Sequence, residues 1–170
     1  IVQAFREVKQ AFDPDKLFWL QGEYMKELPI EQKIDGVIPH LQKAKLLGIA
    51  VDAATRDKIR RIVEATGDRL KVFSDIIPYG RFFFTDEVQY EPEAVKKTLR
   101  KDGVPAILTK LRQVLAEADP FDVPTIEGRV RQFSEADVLK TSVVIHPMRV
   151  ALSGRSVGPG VFELAVILGR

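Results

Sequence analysis

Apolar residues recur every three or four positions along most of the chain, as they do on the buried face of an α-helix. Asp, Gly and Pro residues stand between these runs, where helices usually begin and end. The fold class that this pattern predicts is all-α. Helices are expected over residues 14–28, 30–47, 53–66, 68–77, 92–100, 104–118, 126–133, 147–152 and 161–168.

Several residues mark the expected ends of these helices. Asp52 is a predicted N-cap, and Thr125 is expected to cap the helix that begins at Ile126. Gly48 is expected to close the second helix, which Pro39 should kink or split.

Two short apolar runs do not show helical spacing. Residues 82–84 are three consecutive phenylalanines, which indicate either a buried strand or an apolar linker between helical layers. The surrounding helices favour the linker. Residues 143–145 are β-branched and are expected to be locally extended, with Pro147 opening the next helix. Trp19 and Tyr24 share helical spacing with neighbouring leucines, so we expect them in a core rather than in a base-stacking surface.

Composition adds limits to this picture. The chain has 170 residues, of which 45% are hydrophobic and 29% charged, as in one or two small globular domains. It begins with Ile1 rather than Met, so we expect a fragment of a longer protein. It has no cysteine, which excludes disulfides and most zinc sites and fits a cytoplasmic location. No apolar run reaches the roughly 18 residues of a membrane span, so no membrane partner is expected.

Candidate catalytic chemistry is sparse. The two histidines, His40 and His146, lie far apart and outside any metal-ligand spacing. The glycines near residue 158 lack the Lys-Ser or Lys-Thr pair of a phosphate-binding loop. Nearby carboxylates such as Glu31 and Asp35 have the spacing of surface charges on helices. We therefore expect no catalytic residue, no metal and no cofactor in this chain.

The charge pattern is more informative than the net charge of +2. Residues 56–71 carry six bases against three acids, and residues 140–170 carry four bases against one acid. Two interpretations are open, since such segments are either solvated helix faces or contacts to nucleic acid, and charge alone favours the first. We expect the basic residues near Arg56 to do no more than neutralise phosphate.

Two arginines lie beside predicted helix starts, where free backbone N–H groups also favour phosphate. Arg69 follows a Gly-Asp pair, and Arg149 follows Pro147. A guanidinium can stack on a base and donate two hydrogen bonds to its edge, which suits single-stranded RNA. The alternatives are an ion pair of Arg69 with Asp68 or Asp75, and a structural role for Arg149 at helix-end carbonyls.

Three sequence blocks resemble the C-terminal region of bacterial-type glutamyl-tRNA synthetases. They are residues 12–24 (FDPDKLFWLQGEY), residues 68–75 (DRLKVFSD) with the run 82–84, and residues 147–154 (PMRVALSG) with residues 158–164 (GPGVFEL) and 168–169. The third block is the most specific. Gln21 stands where the family usually has Asn, and Gly158 where members can carry a side chain.

The resemblance implies an anticodon-binding region. Residues 1–36 would end a stem-contact domain, residues 37–83 would form a first helical anticodon-binding domain, and residues 84–170 a second. Arg69 falls where an Arg reads the third anticodon base, a position at which members that accept both glutamate and glutamine tRNAs tend to have Gln. Arg149 falls on an Arg that contacts the anticodon loop. The turn that packs on anticodon bases would contain Gly158, Pro159 and Val161.

The same resemblance implies which partners to expect. The partner would be the anticodon loop of a glutamate tRNA, bound by a monomer. The family's two ATP-binding signatures are absent here, so ATP and Mg²⁺ would belong to a parent ligase and the isolated chain would be inactive. Two alternatives are a helical module that binds protein and the corresponding tail of a class I lysyl-tRNA synthetase.

Overall fold

The structure is a computed structural model that describes residues 13–170. Throughout that range the regular elements are helical, which confirms the all-α prediction. The first twelve residues, including Phe12 of the first sequence block, lie outside the described residues. The α-helices in the described range are α1 (Pro14–Glu27), α2 (Ile30–Lys43), α3 (Ala53–Thr66), α4 (Ile76–Gly80), α5 (Pro92–Ala94), α6 (Val104–Ala116), α7 (Val123–Ala136), α8 (Thr141–Ser153) and α9 (Val161–Leu168).

Aspartates cap the N-termini of α1, α3 and α7. The carboxylate of Asp52 accepts a hydrogen bond from the backbone N–H of Thr55 at 2.7 Å, as predicted for α3, and this bond lowers the pKa of Asp52. The predicted cap of α7 was wrong. Asp122, not Thr125, caps that helix, because its carboxylate accepts from the Thr125 N–H at 2.9 Å.

Helix α2 ends earlier than predicted. Its last residue is Lys43, and Pro39 lies inside it rather than splitting it. The closing residue is Lys45 with a left-handed φ of 59°, not Gly48. The N–H of Lys45 donates to the Gln42 carbonyl and the N–H of Leu46 to the Leu41 carbonyl, both at 2.9 Å. These two bonds satisfy the terminal carbonyls, so the helix ends without a glycine.

The segment after α3 is not the continuous helix predicted over residues 68–77. Gly67, with φ of 55°, ends α3, and a 3₁₀ turn covers Gly67–Arg69. The carboxylate of Asp75 then accepts from the N–H groups of Lys71 and Val72, both at 2.9 Å. Because a side chain takes up these N–H groups, they are not available for a helical ladder. A second 3₁₀ turn, Phe73–Asp75, leads into α4, which includes Pro78.

The apolar run at residues 82–84 is an apolar connection, as the sequence favours. Arg81–Phe83 form a 3₁₀ turn, in which Phe82 and Phe83 are buried. Residues 143–145, in contrast, are helical and not extended, and Pro147 lies in the middle of α8 instead of opening a helix. Val144 and Met148 are both buried on one face of α8, one turn apart. This packing outweighs the β-branched preference of the segment.

Two hydrophobic cores divide the helices into two lobes. The first lobe holds α1 to α4 and the 82–83 turn around Ile34, Val37 and Ile59, and the second holds α6 to α9 around Leu111 and Val144. Helix α9 belongs to both, since Leu164 completes the first core while the adjacent Ala165 enters the second. The predicted boundary between residues 36 and 37 falls inside α2, so that division stays a prediction.

Helix α1 contradicts one expectation. Trp19 and Tyr24 were predicted in a core, but they are 58% and 65% exposed. Only Gly22 and Met25 of this helix are buried among the described residues. In the described range no helix is both long and apolar enough to cross a membrane.

The backbone of residues 89–91, in the linker between the two lobes, lies very close to the end of α8. Gly154 follows α8 with a left-handed φ of 74°, and a Cβ built there overlaps the carbonyl group of Gln89. The Gly154 carbonyl also accepts from the N–H of Glu91 at 2.9 Å. Only glycine fits both the left-handed backbone and the close approach.

Gly154→Ala should therefore destabilise the fold by about 1–3 kcal/mol, measured by urea unfolding followed by far-UV circular dichroism. Gly103→Ala is the matched control, because Gly103 has φ of 80° and an open space where the Cβ would lie. It should cost less, since it adds backbone strain without a clash. Equal losses of unfolding free energy in the two variants would contradict a special role for the close approach of Gly154 to Gln89.

Candidate nucleic-acid interface

A cleft of about 530 Å³ lies between the lobes, where α3 faces α9. Its floor joins the lobes directly, since the Gly160 N–H donates to the Ala65 carbonyl at 3.4 Å. The cleft mixes both charges with apolar surface. Its lining residues are Arg61, Glu64, Ala65 and Arg69 from the first lobe and Val123, Gly160, Glu163, Val166 and Ile167 from the second.

Arg69 lies on the rim of this cleft. It is the last residue of the 3₁₀ turn after α3, not the start of a helix as predicted, and it is exposed. The buried Leu70 and the Asp75 carboxylate, which holds the N–H groups of Lys71 and Val72, fix the backbone that follows it. Among residues 13–170, Arg69 forms no salt bridge with Asp68 or Asp75. The structure therefore does not support the ion-pair alternative.

Arg149 is in the ninth position of α8, which corrects the prediction of a helix start. It therefore lies inside its own helix and not at the N-terminus of α8. Its guanidinium Nη1 donates to the carbonyl of Pro159, the residue before the N-cap of α9. Arg149 thus holds the turn in front of α9, and this bond is consistent with the structural role that the sequence left open.

Burial is the main cause that lowers the pKa of Arg149, and the positive charge of Arg69 lowers it further. The negative charge of Glu163 raises it. Arg69 and Arg149 are 80 positions apart in sequence, yet the charge of Arg69 bears on Arg149. Arg69 lines the cleft, whereas Arg149 holds the turn whose Gly160 lines it. Two positive charges near the same cleft favour an anion there.

The glycine-rich turn is mostly buried. Gly158 and Pro159 are buried, and Val161 is 5% exposed as part of the second core. Gly160 lines the cleft, and a Cβ there would overlap the carboxylate of Glu163. Their predicted roles as direct base contacts stay predictions. In this structure the turn contributes Gly160 to the wall of the cleft.

Two of the bases that the sequence groups around Arg56 are already paired with acids. Arg56 contacts Glu31 at 2.8 Å and Asp35 at 2.7 Å, and Arg60 contacts Glu31. The two arginines lower the pKa of Glu31. These pairs do not fit the expectation that Arg56 and Arg60 neutralise phosphate. Arg61 differs, since it is exposed and lines the cleft.

The carboxylates of this site could not be identified from the sequence pattern. Glu64 and Glu163 both line the cleft, and no spacing rule singled them out. One signal was available for Glu163, which lies three residues after the helix N-cap Gly160, where an acid is favoured. No group of His, Asp and Glu in residues 13–170 is arranged to hold a metal ion.

The sequence model of one protein family, described as the anticodon binding domain, matches residues 32–170. The chain belongs to this family. The match includes both rims of the cleft and all of the residues singled out as RNA contacts. Helix α1 precedes the matched range.

Curated relatives of this anticodon binding domain carry the name glutamate–tRNA ligase. The relative from Desulforudis audaxviator is 34% identical over 161 residues, and the one from Moorella thermoacetica is 31% identical over 159 residues. Each match covers 94% of this chain but 32% of the relative. The chain therefore spans about a third of the length of these relatives.

Solved structures support the fold of the domain. A glutamate tRNA ligase from Elizabethkingia meningosepticum superposes with a TM-score of 0.77 at 23% identity, over 93% of this chain and 30% of that one. The glutamate-tRNA synthetase from Elizabethkingia anophelis gives 0.73 at 24% identity, over 93% and 29%. At these identities the likeness concerns the helical fold alone.

The paired bases of α3 should make folding stability depend on pH. Because Arg56 and Arg60 lower the pKa of Glu31 from its ordinary 4.5, the stabilisation is complete above that value. It is lost as the pH falls through the lowered pKa. Glu31→Gln should therefore lose less stability than wild type between about pH 5 and pH 2, measured by urea midpoints. Glu117→Gln, exposed on another helix, should follow wild type. Parallel curves for wild type and Glu31→Gln would contradict the pairing.

Proposed function

We propose that this domain binds the anticodon loop of a glutamate tRNA, as the recognition part of a glutamate–tRNA ligase. The observation that carries the proposal is the cleft itself. Arg69 of the first lobe lies on its rim, and Arg149 of the second lobe holds the turn whose Gly160 lines it, within a chain of the anticodon binding domain family. The names of the curated relatives support glutamate as the amino acid.

The exposed Arg69 is the proposed base reader. Its guanidinium has no acid partner among residues 13–170, and its rigid fork can donate two hydrogen bonds to a base edge. Arg149 is partly buried and donates to the Pro159 carbonyl. Its proposed role is to contact the anticodon loop and to hold the turn before α9. Arg61 supplies the neutralisation of phosphate on the α3 rim. Gly158, Pro159 and Val161 would present the turn on which the loop rests.

The chemistry of aminoacylation would lie elsewhere in the parent protein. ATP and Mg²⁺ would act there, as would the amino acid. We propose a cytoplasmic location, because translation takes place there, and a monomeric domain. Neither proposal depends on the cleft.

Arg69→Gln tests the base-reading role. Discrimination between the third anticodon base and its variants should weaken by about 1–3 kcal/mol, because one bidentate donor pair is lost. The measurement is filter binding of glutamate tRNA transcripts with each base at that position. Arg100→Gln is a matched control, since Arg100 is exposed in the second lobe, outside the cleft.

Three outcomes would count against the proposal. Equal binding to all third-base variants, before and after the substitution, would remove the role of Arg69. Tighter binding to lysine tRNA would favour the lysyl-tRNA synthetase alternative. A partner protein bound with little dependence on salt would favour an interaction module, because RNA binding weakens steeply as salt rises.

Arg61→Gln tests which bases of α3 meet phosphate. The slope of log affinity against log salt should fall in magnitude by about 0.7–0.9, the value for one phosphate contact. Arg56→Gln is the comparison on the same helix, and its slope should stay unchanged, because Arg56 is already bonded to Glu31 and Asp35. The reverse order would show that the intramolecular pairs open on binding.

A further inference from the structure

Arg155 spans the two lobes at the junction that contains the linker. Its Nη1 donates to the carbonyl of Pro78 at 3.0 Å, and Pro78 lies on α4 in the first lobe. Its Nη2 contacts the carboxylate of Glu91 at 2.9 Å, and Glu91 immediately precedes α5. One planar guanidinium therefore makes charge-assisted contacts to both sides at once.

The surroundings of this arginine are not filled by apolar packing. A cavity of about 230 Å³ lies beside it, and polar side chains such as Thr85, Glu87 and Gln89 share its lining with Ile77 and Phe82. Where apolar side chains interlock, they fix the distance between two elements without help. Here a cavity takes up that space, so the guanidinium is the contact that crosses it.

The backbone next to Arg155 is rigidly tied to Arg149. The hydroxyl of Ser153 donates to the Arg149 carbonyl at 2.7 Å and accepts from the Arg155 N–H at 3.3 Å. Tyr90 of the linker donates through its hydroxyl to the Ala151 carbonyl at 2.8 Å. A displacement of Arg155 is thus passed to the end of α8, on which Arg149 is carried.

The lobes are joined at the cleft by α9, through Leu164 and the bond between Gly160 and Ala65. Leu152 of α8 also packs against both cores, but it is only partly buried. The contact of Arg155 with Pro78 and Glu91 adds a directed polar tether at a different place, and it restricts the rotation that apolar packing at α9 and Leu152 leaves open.

We propose that Arg155 is a positioning residue, which fixes the relative orientation of the two lobes and so the separation of Arg69 and Arg149. Its effect on RNA rests on the proposed function, but its effect on lobe orientation does not. Arg155 itself touches no base. It acts by keeping both arginines at the spacing that one anticodon loop requires.

Lobe orientation is measured directly, on the cysteine-free chain. Ile49→Cys in the first lobe and Val138→Cys in the second provide spin-label sites, since these residues are 99% and 92% exposed. Pulsed electron paramagnetic resonance then gives the distance distribution between the two spin labels. Arg155→Met should shift or broaden it, and Arg155→Lys, which keeps the charge but not the fork, should have a smaller effect.

Two controls separate the tether from general damage. Arg112→Met removes an exposed guanidinium from the second lobe and should leave the distribution unchanged. Because one of the two contacts is an ion pair that is about one-third exposed on the Arg155 side, 1 M salt should broaden the wild-type distribution and change Arg155→Met little. Circular dichroism confirms that each variant is folded.

The RNA measurement uses the same variants without labels. Arg155→Met should lower affinity for glutamate tRNA and its third-base discrimination, each by roughly three- to tenfold, because two charge-assisted contacts no longer hold the binding orientation. An unchanged distance distribution overturns the proposal, whatever the RNA does. A changed distribution with unchanged RNA binding overturns its functional half. If wild type does not bind glutamate tRNA, the proposed function fails, and the distances alone decide the role of Arg155.

Discussion

The packing of α9 into both lobes is the constraint on which the rest of the structure depends. Leu164 fills the first core and Ala165 the second, so adjacent positions on one short helix bind two separate hydrophobic clusters together. The cleft exists because α9 approaches α3 without covering it. The turn in front of α9 reaches the first lobe through Gly160, and Arg149 holds that turn in place through Pro159.

The charged side chains differ in how far they are paired within the domain. Around Glu31, Arg56 and Arg60 of α3 are neutralised within the lobe, whereas Arg61 and Arg69 at the cleft form no salt bridge among residues 13–170, and Arg149 lies near by. A domain that satisfied every charge internally would offer nothing to a polyanion. The unbalanced pair therefore separates the binding face from the ordinary solvated surface.

The sequence was sufficient where local chemistry decides. The N-cap Asp52, the helix stop at Gly67 and the inward faces of the long helices follow from residue type and spacing. It failed where a side chain takes over backbone hydrogen bonds or where burial in the folded protein decides. The Asp75 carboxylate takes the N–H groups that a helix over residues 68–77 needed, and burial of Val144 keeps α8 helical through β-branched residues. Arg69 and Arg149 were identifiable from the family blocks, but their shared cleft and the role of Arg155 require three dimensions.

The shared helix also has a consequence for synthesis on the ribosome. Every buried member of the first core lies between Met25 and Phe83 except Leu164, which is made last. While the second lobe is still being translated, the first lobe lacks one of its largest fully buried side chains. Its core is complete only when α9 has left the exit tunnel, so the last step in building the first lobe coincides with the last step in building the second.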